Sequence, residues 1–139
     1  MTQIEFIYNL ESYQDGLNYI LNKRYKNQKT MIFCDNDKIS YDLSNFLWKH
    51  SGFYPNTICN KQPPKDYKPG ENFLISQHFN KNFDDFLINA SGQEYSYFSR
   101  FDKNFELVLK SEKDKSNARE RLKKYRECGY EVALIESKY

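Results

Sequence analysis

Residues 105–136 read FELVLKSEKDKSNARERLKKYRECGYEVALIE and contain the signals of a strand, a helix and a second strand in succession. The apolar runs at 105–110 and 130–136 predict strands, and the charged segment between them predicts a helix over 112–128. Ser111, followed three residues later by Asp114, matches a capping pattern for a helix start, and Gly129 is placed to end the helix. A strand–helix–strand unit is typical of a parallel sheet.

The same alternation extends through the rest of the chain. We predict further strands over 4–10, 29–35, 72–76 and 86–90, helices over 13–27 and 37–51, and a helical turn within 96–101. Tyr25 is the last apolar residue at helical spacing in the first helix, and Asp37 is the expected N-cap of the second. All four prolines lie in 52–71, which is predicted to be mostly loop.

These elements predict the fold class. We expect one α/β domain over residues 1–139, with a mainly parallel central sheet and helices on both faces. The segment 60–71 is the one candidate linker and is interpreted as a loop within that domain. The expected architecture is three-layered and similar to Rossmann and P-loop domains, although it lacks a phosphate loop.

Composition limits the classes of function that need considering. The formal net charge is +2 although 29% of the residues are charged, so any electrostatic function requires local clustering. Cys34, Cys59 and Cys128 show no CxxC spacing, which argues against a disulfide framework or a structural zinc site. The acidic, short N-terminal run is not a signal peptide, and no apolar run is long enough for a membrane span. We therefore expect a cytoplasmic protein with no membrane contact, either a monomer or one half of a heterodimer.

The residue patterns of catalytic and cofactor sites are missing. The turn after the first strand, NLESYQDG, contains two acidic residues and no glycine-rich phosphate motif. His50 and His78 lie far apart in sequence, and the Asp84–Asp85 pair is interpreted as a turn before a strand. Cys34 ends the second strand, where ligand sites often lie in this fold class, but no base or oxyanion donor accompanies it. We predict no catalytic residue, no cofactor and no metal ion.

The helix over 112–128 concentrates positive charge on one face. At 3.6 residues per turn, the apolar residues Ala118, Leu122 and Tyr125 form a stripe that should face the sheet. A cationic ridge follows on a neighbouring face and consists of Lys115, Arg119, Lys123 and Arg126. Arg121 and Lys124 are predicted on the opposite, solvated side.

Two interpretations of the cationic ridge remain open. Like charges four residues apart destabilise a helix by a few tenths of a kcal/mol per pair, so the ridge is either an incidental basic surface or an anion-binding site. Val108 and Leu109 on the preceding strand, together with Leu122, are candidates for an apolar floor beside it. Arginine holds a carboxylate through two parallel hydrogen bonds, so an acidic peptide with a hydrophobic end fits better than duplex DNA.

Residues 86–132 resemble the C-terminal half of the chi subunit of bacterial DNA polymerase III. The segment ARERLKKYRECGY is similar to that family's signature helix, A-R-E-R-x-x-x-Y-R-x-x-G-[YF], and FLIN and FSRF upstream also agree. The resemblance implies a non-enzymatic α/β domain that lacks the phosphate loop. It also implies a connection between the clamp loader and single-stranded DNA-binding protein (SSB), whose acidic C-terminal tail ends in a Pro-Phe carboxylate. Single-stranded DNA is then contacted only indirectly.

Carried over by position, the resemblance assigns roles to five residues. Arg119 would hold the terminal carboxylate, Lys115 and Lys123 would attract the aspartates of the tail, and Val108 and Leu122 would line the phenylalanine pocket.

The family also has a second binding surface, which implies either the psi subunit of the clamp loader or a DNA-repair helicase as a partner. Trp48, Phe53 and Pro55 are the candidates for it. Two alternative functions are kept beside this one: a domain that binds nucleic acid directly through the basic helix, and a nucleotide-dependent enzyme with a degenerate phosphate loop.

Overall fold

The computed structural model describes residues 1–25, 27–59 and 70–137. Within these ranges strands and helices alternate as the sequence predicts. The elements in chain order are β1 (Gln3–Leu10), α1 (Tyr13–Asn22), β2 (Thr30–Phe33), α2 (Asp37–Lys49), β3 (Asn56–Cys59), β4 (Phe73–Ser76), β5 (Phe86–Asn89), β6 (Lys103–Leu109), α3 (Glu112–Glu127) and β7 (Val132–Glu136). A single 3-10 turn, Phe98–Arg100, lies in the segment predicted to form a helical turn. In these ranges no helix combines the length and the apolar character that crossing a bilayer requires.

The strands form one parallel sheet in the order β3-β4-β2-β5-β6-β1-β7. This confirms the predicted α/β fold class. The segment 52–71, predicted to be mostly loop, contains the short strand β3, which was not predicted and pairs with β4 at one edge of the sheet. Four residues between turn signals give little local evidence of a strand, and the adjacent β4 provides the hydrogen bonds. Residues 60–69 of the candidate linker lie outside the described residues.

The two faces of the sheet are covered differently. One face packs against α1 and α2, with Leu17 and Leu43 of these helices meeting Ile32 and Leu107 of the sheet in the largest core cluster. The other face packs against α3 over β6 and β1, and against connecting segments elsewhere. Of the three α-helices in the described residues, α3 alone lies on this second face, and it stands beside the edge strand β7.

Two predicted helix boundaries differ from the structure. Helix α1 ends at Asn22 instead of residue 27, and Arg24 has a left-handed backbone (φ 55°) that a continuing helix does not allow. Tyr25 consequently lies beyond the helix, with its ring edge-on to Phe86 at 4.9 Å between centroids. Helix α2 is capped by Asn36 instead of Asp37, because the Asn36 side chain accepts the Ile39 N–H at 3.1 Å.

Both ends of α3 are fixed as the sequence predicts. The Ser111 hydroxyl accepts the Asp114 N–H at 3.2 Å. At the other end Gly129 has φ +87°, and the N–H groups of Gly129 and Tyr130 bond to the carbonyls of Arg126 and Tyr125. This is a Schellman motif, which turns the chain back into β7. The caps thus set the position of α3 along β1 and β6.

Candidate functional site

A cleft of about 420 Å³ opens between α3 and the edge of the sheet formed by β1 and β7. Lys115, Arg119 and Leu122 of α3 form one wall. Phe6 of β1 and Val108 of β6 form the floor, and both are buried. The cleft therefore places two cationic side chains beside an apolar surface.

Strand alternation decides which residues reach this floor. Val108 packs in the core cluster beneath α3, whereas Leu109 packs with the cluster on the opposite face under α1 and α2. Consecutive residues of a strand point to opposite faces of the sheet, so Leu109 does not line the cleft. The prediction that Leu109 contributes to the apolar floor was wrong for this reason.

The structure brings four of the five predicted site residues together around the cleft: Lys115, Arg119, Leu122 and Val108. Lys123 is exposed on the outer side of α3 and does not line it. The apolar stripe lies against the sheet as predicted, with Ala118 and Tyr125 buried and Leu122 half-buried at the cleft. Whether these residues hold a peptide stays a prediction.

The cations that line the cleft lack acidic partners. No carboxylate of residues 1–25, 27–59 and 70–137 lies within 4.0 Å of the Lys115 ammonium or the Arg119 guanidinium. Lys124 contacts Glu94 at 2.8 Å and Lys110 contacts Glu11, whereas Lys113, Lys123 and Arg126 of α3 also have no carboxylate within 4.0 Å among the described residues. Lys115 and Arg119 differ from the other cations without an ion pair in that they lie beside the apolar floor of the cleft.

Arg121 does not lie on a solvated face, and the prediction for this residue was wrong. It is only 6% exposed, and its guanidinium donates to the Gly92 carbonyl at 2.8 Å. Its Nε lies 3.7 Å from Glu106 Oε2 on β6. The predicted position of Lys124 on the solvated side is confirmed, because its side chain is exposed. The missed signal was Glu106 itself, a lone acid in an apolar strand that requires a buried partner.

A buried polar network therefore joins α3 to the sheet. Glu106 Oε1 accepts hydrogen bonds from the Tyr125 hydroxyl at 2.5 Å and from Asn104 Nδ2 at 3.2 Å. Burial raises the pKa of the Glu106 carboxyl, and the nearby Arg121 charge opposes that shift without cancelling it. Burial and the Glu106 charge also raise the pKa of the Tyr125 hydroxyl. These contacts fix the rotation of α3, and with it the direction of the cleft cations.

The far wall of the cleft comes from the sheet edge and was not predicted. It consists of Tyr8, Asn9, Leu134 and Glu136. Asn9 has φ +65°, and the pairing of β1 with β6 shifts register between Ile7 and Leu10. Such a bulge redirects side chains, and here it lies at the end of β1 beside the cleft. No local signal in the sequence indicates that β1 and β7 are neighbours.

The other residues considered for chemistry do not gather into a site. His78 is exposed, and His50 caps α2 and lies 3.3 Å from Asn18 Oδ1. Asp84 and Asp85 directly precede β5, as predicted, and Asp85 accepts the Lys29 N–H at 2.8 Å. Cys34 is buried. In the described part of the chain no three His, Cys, Asp or Glu side chains are grouped as metal ligands.

A second exposed feature lies at the end of α2. Trp48 and Phe53 are 45% and 60% exposed, and their rings meet edge-to-face at 5.7 Å between centroids. Phe53 has φ +56°, which is unusual for a bulky residue, and Pro55 beside it is half-buried. The pair packs on itself at the surface instead of entering the core.

The family comparison agrees with this architecture. The model of the family described as "DNA polymerase III chi subunit, HolC" matches residues 1–133. The chain belongs to the DNA polymerase III chi family. No curated protein sequence gives a significant match. As a chi-family chain it is an accessory subunit of DNA replication.

The chi-family match covers most of the cleft but not all of it. Helix α3, the floor residues and the β1 wall lie within residues 1–133. Leu134 and Glu136 follow the matched segment and complete the far wall. The segment that the family model matches therefore includes the α3 wall of the cleft but not the end of β7.

Proposed function

We propose that this chi-family chain is a non-catalytic replication adaptor that binds the acidic C-terminal tail of SSB in the α3 cleft and links it to the clamp loader. The observation that carries the proposal is the pair Lys115 and Arg119, which have no carboxylate within 4.0 Å among the described residues and lie beside an apolar floor. A peptide that ends in an aromatic residue carries a carboxylate and an aromatic ring on the same residue.

The positions of the cations support an anionic ligand whose terminal carboxylate binds at one defined residue. Arg119 presents a planar guanidinium that can bind a carboxylate through two parallel hydrogen bonds. Lys115 stands one turn earlier on the same wall and attracts further acidic side chains. Lys123 continues the positive surface outside the cleft, where a longer acidic tail would run.

The floor supports an apolar side chain at the end of that ligand. Phe6, Val108 and Ala118 are buried in one cluster, and Leu122 packs against it at the cleft. Burying a phenylalanine ring against such a surface contributes about 2 kcal/mol. The phosphate backbone of a duplex has no group that uses this apolar surface, so the floor favours a peptide over duplex DNA.

The direct experiment is a binding titration. A fluorescently labelled acidic peptide ending in Phe is expected to bind with micromolar affinity, which corresponds to about −8 kcal/mol, and to bind more weakly as salt rises. Arg119→Ala is expected to weaken binding by more than about tenfold, because the ligand carboxylate loses its partner. Arg126→Ala, on the same ridge but outside the cleft, is the matched control and should change affinity less than about threefold.

Equal affinity of the wild type and Arg119→Ala would show that the peptide binds elsewhere. A mobility-shift assay separates the adaptor from a protein that binds DNA directly. The adaptor shifts only SSB-coated single strands, whereas a direct nucleic-acid binder also shifts the bare strand.

The second partner is proposed to bind at the Trp48–Phe53 pair with Pro55. A pair of large exposed aromatic rings next to a strained backbone is typical of a binding surface. The proposed partner is the psi subunit, or a repair helicase in its place. Affinity capture from native cytosol should recover SSB together with that partner, and Trp48→Ala should lose the partner while keeping SSB.

A further inference from the structure

The two walls of the cleft carry opposite charge. Lys115 and Arg119 stand on α3, and Glu136 stands on β7 across from them. No cation of the described residues lies within 4.0 Å of the Glu136 carboxylate. A cleft that attracts anions therefore includes one unpaired negative group of its own.

The pairing of the strands sets the distance between the floor of the cleft and Glu136 on its far wall. Glu136 pairs with Tyr8, and Phe6 pairs with Leu134, in the parallel β1–β7 ladder. Val108 lies one strand further, on β6 beside the β1 bulge. Two inter-strand spacings, about 10 Å, thus separate the backbone at Val108 from that at Glu136.

A separation of about 10 Å places Glu136 near the residue that precedes the C-terminal one in a bound peptide. A ring seated over Val108 with its carboxylate at Arg119 fixes the last residue of the peptide. The preceding residue lies about 3.8 Å further along the chain, and its side chain extends that reach. An acidic side chain at this position would lie within a Debye length of the Glu136 carboxylate, which is exposed at the rim of the cleft.

We infer that Glu136 is a specificity-determining residue: it rejects peptides with an acidic residue immediately before the C-terminal one. The inference rests on the proposed function and adds a rule about sequence. The cations attract acidic residues along the tail, and Glu136 excludes them from one position. Glu136 lies beyond residues 1–133, so this selectivity comes from the end of this chain and not from the segment that the family model matches.

Two acidic labelled peptides test the rule. They are identical except that one ends in Asn-Phe and the other in Asp-Phe, so their shapes match and their charges differ by one. The wild type should prefer the Asn-Phe peptide by about threefold at low salt, because the exposed Glu136 carboxylate repels the added negative charge. Glu136→Gln should lose or reverse that preference, since the extra negative charge then meets only the cations.

Glu131→Gln is the matched control, because Glu131 is exposed, immediately precedes β7 and lies outside the cleft. It should keep the wild-type preference. Thermal unfolding of each variant checks that the fold is intact. Tight binding of both peptides by the wild type without discrimination, or an unchanged preference in Glu136→Gln, would overturn the inference and leave the proposed function standing. Failure of the wild type to bind either peptide would overturn the proposed function itself.

Discussion

Arg121 on α3 lies with its Nε 3.7 Å from Glu106 Oε2 on β6, and both side chains are buried. Two residues earlier on the same helix, Arg119 is exposed at the cleft and has no acidic partner among the described residues. One arginine thus anchors the helix, and the other is exposed at its surface. The anchor has consequences for stability that are separate from binding.

Replacing the anchor should destabilise the fold. Arg121→Met removes the donor to the Gly92 carbonyl and the charge near Glu106, so the free energy of unfolding should fall by about 2–3 kcal/mol. Urea denaturation measures the change. Arg126→Ala, at an exposed position of the same helix, should stay within about 0.5 kcal/mol of the wild type. Equal stability of Arg121→Met and the wild type would contradict the anchoring role.

The buried Glu106 should make stability depend on pH. Burial raises the pKa of this carboxyl above its ordinary value of 4.5. The Arg121 charge and the hydrogen bonds from Tyr125 and Asn104 lower the pKa, but their effect is smaller than that of burial. Between pH 4.5 and the raised folded-state pKa, the Glu106 carboxyl of the folded protein therefore retains a proton that the unfolded chain has released. The stabilising contribution is full below pH 4.5 and is lost as pH rises through the raised folded-state pKa.

Glu106→Gln has no proton to release and keeps an acceptor for Tyr125. The stability of this variant relative to the wild type should therefore increase with pH above about 4.5 and then level off. Chemical denaturation at several pH values gives the comparison. Glu127→Gln, at the exposed end of α3, removes a carboxylate outside this buried network and serves as the control. A relative stability of Glu106→Gln that decreases with pH would show that the Arg121 charge dominates.

Close packing of α1 on the sheet should depend on Gly16. A β-carbon at this position would lie 2.8 Å from Leu107 Cδ2 and 3.0 Å from Leu10 Cδ1, both in the core. Crowding costs more than the better helix propensity of alanine returns, so Gly16→Ala should lower stability by about 1 kcal/mol. Gly70→Ala, with nothing within 4 Å, should be neutral in the same thermal unfolding assay. A stabilised Gly16→Ala protein would mean that Leu107 moves aside freely.

The two proposed binding surfaces should act independently. Trp48 lies on α2, which contacts the β3 edge of the sheet, whereas α3 stands on the other face next to β7. Trp48→Ala should leave the affinity for the acidic peptide unchanged within about twofold, because distant sites without shared contacts do not couple. Arg119→Ala should likewise leave capture of the second partner unchanged. A tenfold loss of peptide affinity in Trp48→Ala would show that the sites are coupled.

Most of the fold follows from local sequence signals. The apolar runs at 72–76 and 86–90 and the capping residues Ser111 and Gly129 identify their elements, because a helix start, a helix end and a buried strand each need particular residue types. β3 was missed because four residues between turn signals become a strand only through a partner.

The sequence alone determined the alternation of strands and helices, the parallel sheet that it requires, and the cationic ridge on α3, since these depend on residues close together in the chain. Tertiary structure decided that Arg121 is buried and Arg119 exposed, because Glu106 lies beneath only one of them. It also decided that Glu136 faces the cleft, because β1 pairs with β7 across more than one hundred residues of sequence. Contacts between strands so distant in the chain leave no local pattern, so the charge of the far wall appears only in the folded protein.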